Sequence, residues 1–142
     1  MGYRWHDTKK IPALFPFGHG LSYTTFTYGK PMASAKAMAA DGMLTVTVAV
    51  KNTGSIAGKE IVQLYVGDDK CSVLRPVKEL KHFAKVALAP GEEKSVTFTL
   101  TPDDLKFYDE ASAAWKYESG KFKAYVCASS ADVRGVVSFE MQ

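Results

Sequence analysis

Two adjacent carboxylate pairs, Asp103-Asp104 and Asp109-Glu110, and two cysteines, Cys71 and Cys127, are the side chains from which chemistry would first be expected. Paired carboxyl groups cleave glycosidic bonds when they stand roughly 5–10 Å apart and flank the scissile bond. Neighbours on one short segment do not converge on a bond in that way. Thr101-Pro102-Asp103-Asp104 has the pattern of a helix start, with Thr as N-cap, Pro at the first helical position and carboxylates beside unpaired backbone N–H groups. Asp109-Glu110 falls in a turn between short strand patterns. Neither pair is assigned a catalytic role. The cysteines have no nearby Cys or His pair with metal-ligand spacing, so no metal or cofactor is assigned. Cys71 in a polar loop and Cys127 on an outward strand face are expected to be free thiols.

The elements that must carry these residues are strands. In Leu44–Lys51 the larger aliphatics Leu44, Val46, Val48 and Val50 alternate with Thr45, Thr47 and Ala49, which puts them on one buried face. After the break Asn52-Thr53-Gly54, residues 61–66 place Val62, Leu64 and Val66 on one face and Gln63 and Tyr65 on the other. Lys94–Leu100 alternates in the same way through Val96, Phe98 and Leu100, as does Lys121–Ser129 through Phe122, Ala124 and Val126. Val137 and Phe139 share a face of the last strand. Residues 24–28 begin the first strand, and the alanine-rich 33–38 is read as an edge strand before the Asp41-Gly42 turn signal. Glu79–Leu88 breaks strict alternation, which predicts a bulge. Ala89-Pro90-Gly91-Glu92 fits a type II turn. Residues 67–78 read as a solvated polar loop, and residues 107–108 and 114–117 as short strands. Seven to nine strands separated by Gly or Pro predict an all-β, immunoglobulin-like two-sheet sandwich over 26–142.

Residues 1–25 are different. Tyr3, Trp5, Phe15, Phe17 and Tyr23 stand among Pro12, Pro16, Gly18 and Gly20 with neither helical nor strand periodicity, which reads as an irregular arm. So many aromatics must lie against something, either the arm's own domain or a further partner. The chain of 142 residues, 46% hydrophobic, is long enough to bury one core. Its net charge of +3 comes from scattered basic residues, which excludes the concentrated stripe needed for nucleic acid. No apolar run approaches the ~20 residues that span a bilayer, so a soluble domain without membrane contact is expected. Residues 2–7 lack the apolar centre of a signal peptide, and the chain reads as part of a longer protein with an added start.

FPFGHGLSYT (Phe15 to Thr24), VKNTGSIAGKEIVQLYV (Val50 to Val66), RPVKELKHF (Arg75 to Phe83), PGEEKSVTFTL (Pro90 to Leu100) and DLKFYD (Asp104 to Asp109), in this order, resemble the C-terminal fibronectin type III-like domain of family-three glycoside hydrolases, the β-glucosidase and β-xylosidase group. The resemblance runs from about Tyr3 to Phe139. It implies that the catalytic nucleophile and acid/base lie in two preceding domains, and no carboxylate here falls in a motif resembling theirs. It implies a non-catalytic accessory domain partnered by the catalytic domains of the same polypeptide, in a periplasmic or secreted protein. YRWHD and FPFGHGLSYT look like the family's interdomain junction, which marks Tyr3, Trp5, Phe15, Phe17, His19 and Tyr23 as candidate interdomain contacts. His19 is read as a junction residue in preference to a proton carrier. The competing reading is a carbohydrate-binding module that holds polysaccharide near an active site. Trp115 and Tyr117 are its candidate sugar contacts, although core or edge packing is the favoured account of both.

Overall fold

The computed structural model describes residues 2–142. Met1, the first residue of the expected arm, lies outside the described residues. The elements run α1 (Gly2–Lys9), β1 (Phe26–Tyr28), β2 (Met32–Ala33), β3 (Ala37–Met38), β4 (Leu44–Asn52), β5 (Gly58–Asp68), β6 (Glu79–Leu88), β7 (Glu93–Leu100), α2 (Pro102–Leu105), β8 (Phe107–Asp109), β9 (Ala114–Lys116), β10 (Gly120–Ser129) and β11 (Asp132–Met141).

Period-two patterning becomes a two-sheet sandwich. In the four-stranded sheet β7 lies along one edge of β4, while β1 and β2 follow one another along its other edge, all antiparallel. The five-stranded sheet has the order β3-β11-β10-β5-β6, antiparallel except where β3 runs parallel to β11. Nine strands thus build the sandwich, at the upper end of the expected range, and β8 and β9 form a separate hairpin. Leu44, Val46, Val48 and Val50 face Val62, Leu64, Val66, Phe122, Ala124 and Val126 across the core. Each fully buried aliphatic of this kind contributes about 1.5–3 kcal/mol of transfer free energy.

Residues 33–38 do not form one edge strand. Met32–Ala33 pairs with β4 in one sheet and Ala37–Met38 with β11 in the other, so the segment crosses the gap between them. Its backbone groups are met on both sides: Ser34 N–H donates to Thr45 O at 2.9 Å and Glu140 N–H to Lys36 O at 2.9 Å. Inside the sandwich Asn52 is wholly buried and ties three segments together. Its Oδ1 accepts from Thr24 Oγ1 (2.6 Å) and Gly54 N–H (3.0 Å), and its Nδ2 donates to Ile56 O (2.9 Å) and Leu88 O (3.1 Å).

The expected local devices are present. The β5–β6 register shifts between Leu64 and Tyr65, opposite His82 and Leu80, which makes Lys81 the bulged residue. Gly91 has φ +75°, and Glu92 N–H closes the turn onto Ala89 O at 3.0 Å. Asp104 Oδ2 accepts the Thr101 N–H at 2.8 Å, and Leu105 at the end of the single helical turn is fully buried. The second pair is divided: Asp109 is bonded to Lys116 Nζ and to Ser112 Oγ, each at 2.6 Å. The lysine and serine bonds hold its carboxyl at about 2.

Candidate functional site

The sheets differ on their outer faces, and that difference locates the site. On the four-stranded sheet the outer positions of β4 and β7 carry Thr45, Thr47, Ser95, Thr97 and Thr99, and Thr47 and Thr97 share a hydrogen bond of 2.9 Å. On the five-stranded sheet the outward row contains Gln63, Tyr65 and Cys127, which alternation alone would leave in solvent. All three are buried: Gln63 is 3% exposed and Tyr65 and Cys127 are at 0%. The arm covers them.

The arm is not wholly irregular, for its first turns form α1. None of the residues of α1 is buried, so no apolar stripe announces it in the sequence; contacts with β6 and the loop before it hold the helix instead. The Tyr3 ring meets Tyr65 edge-on, with centroids 5.6 Å apart at 83°, and its hydroxyl accepts the Leu80 N–H at 2.8 Å. Asp7 is paired with Lys78, which lies 5.5 Å from the centroid of the Tyr65 ring. Arg4 reaches Glu79 at 3.1 Å. Farther along, Ser130 N–H donates to Phe17 O at 2.8 Å, and Gln63 Nε2 donates to Ala128 O at 2.9 Å and to Gly18 O at 3.4 Å. Gly18 has φ +76°, and a Cβ there would come within 2.8 Å of the Gln63 amide carbon, so only glycine permits this approach. Cys127 lies on the outward face as its pattern requires, but the arm covers it, and that burial pushes its thiol up to about 12.

The opposite side of the arm is bare. Leu14 is 89% exposed, Phe15 74%, Leu21 94% and Tyr23 97%, and Trp5 and Phe17 are about half exposed. The six candidate contacts therefore divide. Tyr3 faces its own sheet, Phe17 packs on Tyr3 at 5.1 Å while keeping an open side, and Trp5, Phe15 and Tyr23 face out. His19 is exposed, its ring 6.1 Å from that of Phe15. A groove of about 630 Å³ lies between α1 and the Phe15–Phe17 turn and reaches Ser130.

The candidate sugar contacts separate. Tyr117 packs against the core, whereas Trp115 is 66% exposed on β9 and meets Tyr108 at 71°. The loop between β5 and β6, expected to be simply solvated, is organised around Arg75. This guanidinium lies 3.5 Å from Asp68 and 3.1 Å from Glu79, donates to Leu105 O at 3.1 Å and covers the Phe107 ring at 5.3 Å. Burial disfavours the Glu79 charge, but Lys81, Arg75 and Arg4 together hold its carboxyl below the usual range. Asp68, Cys71 and Glu118 approach within 4.8 Å of one another. Glu118 is committed to the Ser72 N–H and hydroxyl, and Arg75 already supplies positive charge to Asp68, so this group is a loop clasp.

Residues 60–130 match the family model of the fibronectin type III-like domain. The chain belongs to that family. Its relatives include the beta-glucosidase BoGH3A of Bacteroides ovatus, 62% identical over 140 residues that cover 99% of this chain and 19% of that protein. The domain is 53% identical over 133 residues to thermostable beta-glucosidase B of Acetivibrio thermocellus, covering 94% of this chain and 18% of the other. In solved structures it superposes on the GH3 beta-glucosidase of Bifidobacterium adolescentis with a TM-score of 0.92 at 35% identity, over 99% of this chain and 20% of that one. The domain thus spans about a fifth of the length of the curated relatives it matches.

Proposed function

We propose that the domain is a non-catalytic accessory part of a β-glucosidase-like glycoside hydrolase and holds that enzyme's catalytic domains through its N-terminal arm. The observation that carries this reading is the two-sided arm. Its inner side is fixed to the five-stranded sheet, while Leu14, Phe15, Leu21 and Tyr23 are presented outward. At about 25 cal/mol per Å², a few such side chains docked on a partner supply several kcal/mol before association costs. The carboxylates support a non-catalytic role, since Asp104 serves the α2 start and Asp109 is neutralised by Lys116. Holding polysaccharide favours flat, parallel rings, and the 71° between Tyr108 and Trp115 suits that reading less well.

The test is to express the remaining domains of such an enzyme without this one and to supply the domain in trans. Recovery of solubility and aryl β-glucoside hydrolysis with the intact domain, and not with residues 2–25 removed, is expected. Full activity and unchanged stability without the domain would overturn the reading, as would hydrolysis by this chain alone that one Asp or Glu substitution abolishes.

A further inference from the structure

The arm does not cover the whole apolar part of the outer face of the five-stranded sheet. Across that face the ladder sets Phe83 opposite Gln63 and Gln63 opposite Cys127, which in turn faces Val133. The next rows set Lys85 beside Ile61, and Tyr125 between Tyr65 and Val136. The arm closes over the middle of this pattern and leaves its flanks open: Phe83 is 69% exposed, Ile61 43%, Val133 44% and Val136 42%. Ile61 and the arm's Leu21 line the same groove, of about 440 Å³, so the bare side of the arm and the β5–β6 flank are continuous. Lys59 and Lys85 border that flank, both exposed and neither in an ion pair among the described residues. The other sheet shows solvent a face of threonine and serine.

We infer that the surface meeting the rest of the polypeptide is the arm together with the β5–β6 flank of the outer sheet face, Ile61 and Phe83, and that the partner surface there is apolar with carboxylates opposite Lys59 and Lys85. The inference rests on the accessory-domain reading and adds which sheet turns inward. The occupant is the remainder of the same chain because the relatives devote about four-fifths of their length to other domains. An apolar strip of this extent on a β-sheet otherwise invites association. Lysines at its edge select a partner of opposite charge and repel a second copy of the same face.

The test compares the full-length enzyme with the 142-residue chain, each carrying Phe83→Thr, which keeps strand propensity, or Lys59→Glu with Lys85→Glu. Phe83→Thr is expected to lower the full-length transition by about 2–4 °C or more and to leave that of the isolated chain within about 1 °C. The double charge reversal is expected to weaken the full-length enzyme at low salt, with the difference fading near 1 M salt. Amide exchange at residues 81–85 should be slower in the full-length enzyme. Equal exchange and no shift from Phe83→Thr would overturn the inference; if arm variants still destabilised the enzyme, the accessory reading would survive. If neither arm nor sheet variants acted, both would fall. Loss of an enzyme dimer, or of glucan retention, as the sole effect of Phe83→Thr would assign the face to a second copy or to polysaccharide and likewise overturn it.

Discussion

Tyr3 stands edge-on to Tyr65 at 5.6 Å and joins the first helix to the outer face of the five-stranded sheet, at a position where strand alternation would have left a tyrosine in water. The contact makes the arm part of the folded domain. Removing it should uncover what lies beneath. Tyr3→Ala loses the ring pair and the acceptor for Leu80 N–H, a cost of about 2 kcal/mol. It should raise the labelling rate of Cys127 at neutral pH by at least tenfold, while far-ultraviolet circular dichroism keeps the sheet signature. Unchanged labelling would show that the arm does not seal the thiol.

Both cysteines are free. Cys71 should react with a thiol reagent in the native protein, Cys127 only when the arm lifts or the chain unfolds, and both in denaturant without reductant. A linked peptide pair in mass spectrometry would refute this.

Glu79 gives the docking a pH dependence. Its carboxyl lies below the usual 4.5 in the folded state because Lys81, Arg75 and Arg4 favour the charge more than burial opposes it. The stabilisation is therefore complete above 4.5 and is lost as pH falls through the lower folded value. Cys127 labelling with a dipyridyl disulfide, which works in acid, should accelerate below about 4.5. In Glu79→Gln that contribution to the acceleration should be absent. A pH profile identical in Glu79→Gln would remove this group from the docking account.

Arg75 is largely buried and holds together the β5–β6 loop, Glu79, α2 and β8. Arg75→Ala leaves Asp68 and Glu79 without their buried partner and should destabilise the chain by about 3 kcal/mol in urea unfolding. A cost under about 1 kcal/mol would mean that the loop is held by other contacts.

Much of the sandwich was legible because alternation reports directly which side of a strand is buried. Leu44–Val50, Val62–Val66, Val96–Leu100 and Phe122–Val126 all fall as their patterns require. The Pro90-Gly91 turn and the Thr101 helix start were legible from backbone chemistry. Alternation places Tyr65 and Cys127 on the outer side of their sheet but says nothing of what covers that side, so their burial beneath the arm is not legible from it. The unusual signal was available in VQLYV, where no strongly polar residue marks the outer side apart from Gln63. Helix α1 was hidden because its contacts are an aromatic edge and ion pairs to distant residues, which leave no 3.6-residue apolar stripe. The crossing at residues 33–38 was hidden because a short alanine-rich run suits either sheet. The exposed arm aromatics were legible as residues that the sandwich core has no room to cover.

On the proposed reading, the bare side of the arm holds the other domains of the enzyme. Phe15 and Leu21 test it most cleanly, being exposed by 74% and 94%, whereas Phe17 also packs on Tyr3. The measurement is the thermal transition of the full-length enzyme and of this chain, each with Phe15→Ala and Leu21→Ala combined. A drop of about 4 °C or more is expected in the enzyme, with lower activity near its transition, and a change within about 1 °C in the isolated chain. Equal destabilisation in both, or none in the enzyme, would contradict it.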